Sequence, residues 1–299
     1  MTHLEIDVQH SASDNQQPAA GIRHPSLVTR HFLLCIAFAA LAANAAERPV
    51  APDGYPHLLW HDEFDGGPLD TGKWSRIPNP NETRMAGDWI KYMSLRDDLV
   101  QVRDGSLLLI GVANDNLEAD ERPFLTGGVW TKDLFAFTYG KVEIRARFED
   151  QKGAWPAFWM LPQGQKWPEG GEIDIVERLN SDDFVYQTCH SAWTVKMGNV
   201  KKPPQGGKGK IVPGEYNVFG LERTPDALVW TVNGKETFRY PRTDAHPLQW
   251  PFTTPFYLLL DMQLGGRWAG KVDASTLPVR TYVDWVRVWT AEPPQPTGN

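Results

Sequence analysis

Several things are scarce in this chain of 299 residues, and each shortage excludes a class of protein. It carries two cysteines, Cys35 and Cys189, too few for a disulfide framework. Cys35 lies in a segment expected to be removed, which leaves the mature chain one thiol. Cys189 falls in a β-like stretch beside His190, where a buried and inert thiol is the expected role. Basic residues are outnumbered: 30 Lys and Arg stand against 37 Asp and Glu, a net charge of −7. That balance argues against a nucleic-acid partner, because a phosphate backbone calls for a clustered basic surface. Long amphipathic helices and internal repeats are missing. The one strongly apolar run, HFLLCIAFAALAANAA from His31 to Ala46, is too short to span a bilayer comfortably.

That run follows Arg23 and Arg30 and ends in small residues, with Ala43-Asn44-Ala45 fitting the A-x-A cleavage pattern. The expectation is a secretory signal peptide over residues 1–45, cut after Ala45 or Ala46, and a periplasmic or extracellular product. An uncleaved anchor is the alternative. Lipid attachment at Cys35 would need a small residue before it, and Leu34 stands there, so no membrane anchor is expected. The long polar stretch ahead of the apolar run points to a start codon further downstream. Residues 46–57 read as a Pro-rich linker and residues 291–299 as a Pro-rich, disordered tail.

What remains reads as strands. Ser106–Val112 is SLLLIGV, and Tyr139–Phe148 alternates Val142, Ile144 and Ala146 with charged neighbours. Val229–Val232 runs into Asn233-Gly234, a signal for a two-residue type I′ hairpin. Phe256–Leu260 and Tyr282–Trp289 complete the set. Short strands separated by Gly- and Pro-rich turns make an all-β sandwich or barrel. With 41% hydrophobic residues there is enough apolar surface for one large core, and a single domain is assigned to residues 58–290. Thirteen tryptophans are present. Some belong to that core, but a flat indole face also suits the C–H face of a sugar, an extension of general aromatic packing.

The sharpest feature is Gly170-Gly171-Glu172-Ile173-Asp174-Ile175-Val176-Glu177. In a strand, residues two apart share a face, so Glu172 and Asp174 point one way while Ile173 and Ile175 point into the core. Strict alternation sends Glu177 to the opposite face. One extra residue at Ile175-Val176, a β-bulge, returns it, and bulges occur beside active sites because they re-aim side chains. Glu172 and Glu177 are then about 13 Å apart at Cα. Side chains leaning together can bring their carboxyls to the ~5–5.5 Å used by retaining glycosidases. One carboxylate would attack an anomeric carbon, and the other would protonate the leaving oxygen and then activate water. Asp174 between them would tune their protonation. A calcium site or a solvated acidic face are the competing readings of the spacing alone.

The segment resembles the E-x-D-x-x-E signature of glycoside hydrolase family 16. The resemblance extends over Trp60-His61-Asp62-Glu63-Phe64-Asp65, Gly127-Gly128-Val129-Trp130-Thr131-Lys132, Tyr139-Gly140-Lys141-Val142-Glu143, the run Gly153 to Pro162 and Val283 to Trp289. It implies a concanavalin-like β-jelly-roll sandwich with a concave substrate cleft. It further implies retaining endo-cleavage of a β-linked polysaccharide by a monomer that needs no cofactor for catalysis. Glu172 would be the nucleophile, Asp174 its assistant and Glu177 the acid/base. Trp155, Trp159, His190, Trp130, Gln263 and Trp268 would contact the sugar, with His190 alternatively a packed core residue. Glu63, Asp284 and the backbone near Gly105 would form a structural calcium site, unless either acid pairs with a base.

Two rivals share the fold: a sandwich that binds glycan without cutting it, and a transglycosylase. A pure binder has no need of three aligned acids, and the longer motif spacing argues against transglycosylation. For the substrate, β-1,3-glucan is the first expectation and β-1,4-galactosyl bonds of galactans, keratan or mucin-type glycans the second. Asp88-Trp89-Ile90-Lys91-Tyr92 and Asp261-Met262-Gln263-Leu264-Gly265-Gly266 depart from laminarinase wording.

Overall fold

In the stretch Gly140–Phe148, Val142, Ile144, Ala146 and Phe148 are buried while Lys141, Glu143, Arg145 and Arg147 stay partly exposed. Period-two alternation thus builds the strand that the sequence suggests. The computed structural model describes residues 49–293 except Arg84. The expected signal peptide and most of the expected tail lie outside the described residues. In chain order the strands are β1 (His57–Asp62), β2 (Ser75–Arg76), β3 (Val100–Arg103), β4 (Ser106–Ala113), β5 (Phe124–Thr126), β6 (Gly128–Trp130), β7 (Gly140–Phe148) and β8 (Ala154–Pro162). They continue as β9 (Glu172–Glu177), β10 (Phe184–His190), β11 (Gly206–Lys210), β12 (Asn217–Arg223), β13 (Ala227–Val232), β14 (Lys235–Pro241), β15 (Phe256–Leu264) and β16 (Val279–Thr290). No helix among the described residues exceeds four residues, and none is long and apolar enough to cross a membrane.

Two antiparallel sheets result. One runs β14-β13-β12-β7-β16-β4-β3, with β1 beside β16 and β5 beside β4; the other runs β11-β10-β9-β8-β15-β6-β2. Their inner faces share one core that includes Ile144 and Phe148 from β7, Ile173, Ile175 and Val176 from β9, Leu258 and Leu260 from β15, and Val286 and Val288 from β16. The Asn233-Gly234 hairpin joins β13 to β14 with both residues at positive φ, 50° and 76°, as a type I′ turn requires.

Strand β15 is longer than expected. The apolar run stops at Leu260, but the strand continues through Asp261 and Gln263 to Leu264, and all nine residues are buried. Asp261 and Gln263 alternate onto the outer face of the seven-stranded sheet, where the cleft lies.

Candidate active site

The bulge is present. On the β8 side Phe158 pairs with Val176 and Trp159 with Asp174, so Ile175 has no partner of its own. On the β10 side only Gln187 stands between the pairs Tyr186–Glu177 and Thr188–Asp174, while β9 has two residues there. Glu177 is therefore opposite Ala157 as Asp174 is opposite Trp159. Ala157 and Trp159 are two residues apart, so Glu177 shares the face of Glu172 and Asp174. Both Ile175 and Val176 are fully buried in the core. At the disrupted register the Asp174 carbonyl accepts a hydrogen bond from Trp230 Nε1 across the core, 2.8 Å. Upstream, Gly171 has φ +86°, and a Cβ there would meet Pro251 Cγ at 2.8 Å and Phe252 Cε1 at 2.9 Å. Only glycine admits this entry into the strand.

Neighbouring strands supply the rest of the face. Trp155 and Trp159 come from β8, Thr188 and His190 from β10, and Gln263 from β15. Together with Asp88, Trp89, Ala157, Trp268 and the three acids they line a cavity of about 400 Å³. Trp155 Nε1 donates to Glu177 Oε1 at 3.0 Å. Trp159 Nε1 and Gln263 Nε2 donate to the two oxygens of Asp261, both at 2.7 Å. His190 Nε2 lies 3.2 Å from Asp174 Oδ2 and 3.8 Å from Glu172 Oε1. Gln205 Nε2 is 2.9 Å from His190 Nδ1. With Gln205 donating there, the neutral ring carries its proton on Nε2, toward the acids.

Burial dominates the electrostatics. It pushes the Glu172 carboxyl up to about 8, with Asp174 adding to the rise and His190 opposing it. Asp174 is raised by burial and then by Asp261. Asp261 is itself raised to about 7 by burial, against the hydrogen bonds from Trp159 and Gln263. Burial raises Glu177 well above the ordinary range, and both Asp174 and Glu172 add to that. Two neighbouring acids, Asp174 and Glu172, thus oppose ionisation of Glu177, whereas Asp174 alone opposes that of Glu172. Glu172 also keeps 19% of its side chain exposed, so it is the better placed of the two to ionise. Environments that hold one acid protonated beside another that ionises are what acid/base chemistry uses.

Of the sugar-contact candidates, Trp155, Trp159, His190, Gln263 and Trp268 line the cavity. Trp130 is not among the lining residues: at 8% exposure it packs with Ile77, Ile90, Tyr257 and Leu259 in a cluster that also holds Ala157 and Trp159 of the cavity, since β6 lies beyond β15 from the acids. Trp159 is mostly buried and forms floor rather than open platform. Trp89 meets it edge-on at 4.8 Å, and Trp268 meets Trp155 edge-on at 5.3 Å. The sequence reading missed Trp89, Asp88, Thr188 and Gln205 as site residues. For Thr188 the alternation of β10 with His190 was an available signal; for Gln205, in a loop after Pro203-Pro204, there was none.

The calcium candidates sit in a different setting. Both oxygens of Glu63 accept from Arg287, at 2.9 and 2.7 Å, and His61 Nδ1 is 3.1 Å from Oε1. Asp284 Oδ2 accepts from Arg145. With guanidinium groups seated on both acids this set does not fit calcium, and no step is derived through an ion. Among the described residues, Glu172, Asp174 and His190 place one ligand atom each within 4.8 Å of one another, close enough to hold a metal. Cys189 is buried and unpaired with another cysteine, and burial holds its thiol well above the usual range.

Residues 94–287 match the family described as "Glycosyl hydrolases family 16". The chain belongs to that family. It is 33% identical over 238 residues to a keratan-sulfate endo-1,4-beta-galactosidase of Sphingobacterium multivorum, covering 78% of this chain and 54% of that protein. It is 32% identical over 256 residues to a beta-glucanase of Rhodothermus marinus, covering 79% and 87%. Among solved structures, a non-specific endo-beta-1,3(4)-glucanase of the family superposes with a TM-score of 0.72 at 28% identity, covering 82% of this chain and 95% of that one. The chain thus spans about half the length of the first of these relatives.

Proposed function

We propose that the cleft hydrolyses a β-linked polysaccharide internally and with retention of configuration. The observation that carries this is the bulge at Ile175-Val176, which brings Glu177 onto the face of Glu172 and Asp174. In the first step the Glu172 carboxylate attacks the anomeric carbon as the glycosidic C–O bond breaks, and Glu177 gives its proton to the departing oxygen. In the second, water attacks the glycosyl ester, Glu177 takes the water's proton, and Glu172 leaves as carboxylate. Asp174, with His190 beside it, tunes the charge on Glu172.

Azide separates the roles. Glu172→Ala with azide and an activated aryl glycoside should give a glycosyl azide of inverted configuration. Glu177→Ala should give one of retained configuration, read by NMR of the anomeric proton. The opposite pattern would exchange the two roles. If neither variant lost at least about tenfold in hydrolysis, roughly 1.4 kcal/mol, β9 would not be the active strand.

For the substrate, β-1,3-glucan remains the first reading, supported by likeness to the two glucanases. The second, β-1,4-galactosyl bonds, is supported by the similarity to the galactosidase. The rim also bears on it. The two segments that depart from laminarinase wording meet there: Arg267 N donates to Asp88 Oδ2 at 2.9 Å, and a Cβ on Gly266 would strike Asp88 at 2.8 Å. Export by the apolar run at residues 31–46 completes the proposal.

A further inference from the structure

Strand β11 forms one edge of the cleft sheet and reads Gly-Gly-Lys-Gly-Lys. Its alternation is extreme. Gly207 and Gly209 face inward, where a Cβ would meet Phe238 Cβ at 2.8 Å and Val232 Cγ2 at 2.5 Å. Lys208 and Lys210 face the other way, opposite Tyr186 and Phe184. That is the cleft side, because Tyr186 is also opposite Glu177 and its ring lies 4.8 Å from that of Trp268. Glu177, Tyr186 and Lys208 therefore form one row across three strands. Two inter-strand spacings put Lys208 about 10 Å from Glu177 at the backbone.

Lys208 is held over aromatic faces, its Nζ 4.0 Å from the Phe184 ring centre and 4.9 Å from that of Tyr186. Lys208 and Lys210, like most lysines among the described residues, have no carboxylate within ion-pair distance; Lys208 is set apart by its seat over two rings at once. Edge strands often carry lysine to deter sheet-to-sheet pairing. That role does not call for a lysine stacked on the aromatic side chains of β10 that adjoin the cleft through Trp268. A net charge of −7 and a floor of acids would also repel an anionic chain unless local positive charge met it.

We infer that Lys208, with Lys210 behind it, is a subsite for an anionic substituent on the glycan, so that the substrate is a charged β-linked polysaccharide. This rests on the proposed glycosidase function and favours its second substrate reading over a neutral glucan. The charge is a sulfate ester or a uronate carboxylate. The test measures affinity in Glu172→Gln protein, which leaves the chain uncut, by affinity electrophoresis in gels holding keratan sulfate, chemically desulfated keratan, hyaluronan or carboxyl-reduced hyaluronan. At least one anionic glycan should bind about tenfold more tightly than its own uncharged form (desulfated keratan for keratan sulfate, carboxyl-reduced hyaluronan for hyaluronan), and K208Q/K210Q should reduce that ratio to within about twofold. Lys208→Arg should restore it, and Lys235→Gln, at the far hairpin, should leave it unchanged. Keratan sulfate alone showing the preference identifies sulfate; hyaluronan alone identifies carboxylate. A ratio near one for both, or one that survives K208Q/K210Q, overturns the inference. Failure of wild-type protein to release reducing ends from any polysaccharide would overturn the hydrolase reading instead, and the binding ratio would still decide the lysines.

Discussion

Replacing Glu172 by Gln should abolish hydrolysis and stabilise the fold. Glutamine keeps the shape of the side chain and removes its charge. Burial and the neighbouring Asp174 raise the Glu172 carboxyl from 4.5 to about 8. The sign follows from linkage. A carboxylate whose pKa is higher folded than unfolded costs nothing below about 4.5, costs progressively more as pH rises, and carries its full penalty above about 8. At 1.36 kcal/mol per pH unit the displacement corresponds to roughly 5 kcal/mol. Residual water access at 19% exposure and proton sharing with Asp174 and Glu177 reduce this, and about 2 kcal/mol is expected at pH 8. For a domain of this size that is a rise in Tm of roughly 4–8 °C. Thermal melts of wild type and Glu172→Gln at pH 4.5, 6 and 8 read it directly. The two curves should coincide at pH 4.5 and separate steadily above. A gap independent of pH, or a variant no more stable than wild type at pH 8, would refute the electrostatic account of the site.

The same charges shape the pH–rate profile, whose rising limb follows ionisation of the nucleophile and whose falling limb follows loss of the acid's proton. Both limbs of kcat/KM should lie above the ordinary carboxylate range, since burial raises Glu172 and Glu177 alike. His190 lowers both groups, so His190→Gln should move both limbs to higher pH. Trp155 lowers Glu177 alone, so Trp155→Phe should move only the falling limb, by about 0.7 pH unit for a hydrogen bond worth about 1 kcal/mol. Identical displacements in the two variants would contradict the assignment. Residues 1–46 fused to a reporter should direct its export from a bacterial host, with N-terminal sequencing finding cleavage after Ala45 or Ala46; retention in the membrane with Cys35 present would count against it.

How far the sequence could be read follows from how local each feature is. The strand Gly140–Phe148, the Asn233-Gly234 hairpin and the bulge at Ile175-Val176 were legible because each is decided within ten residues, by alternation or by the one residue that breaks it. The distance of Trp130 from the acids is not legible locally, because it depends on which strand, β15, lies between them. The sequence pattern ends β15 at Leu260 because Asp261 and Gln263 interrupt an apolar run; their burial becomes reasonable only once Trp159, from another strand, is there to donate to Asp261. The rim was the least legible part. Asp88 and Arg267 are 179 positions apart, and Gln205 reaches His190 because Cys189 N holds its carbonyl at 3.0 Å.

The same split between local and distant features separates the proposed chemistry from selectivity. The proposed bond-breaking groups sit within six consecutive residues of β9, where a one-residue change of register would turn Glu177 into the core. Selectivity has no such constraint. Asp88, Trp268 and Lys208 lie on a short turn, a four-residue helix and an edge strand, none of which carries the register of β9. Each can change without displacing the acids, so one carboxylate arrangement is compatible with different polysaccharides. The lysines of β11 are the sharpest instance. Gly207 and Gly209 keep the edge strand tight against Phe238 and Val232, and the alternate positions are left free to carry charge over the cleft. A change of charge at those two positions should therefore alter which glycan is held while leaving the register of β9, and the chemistry it supports, in place.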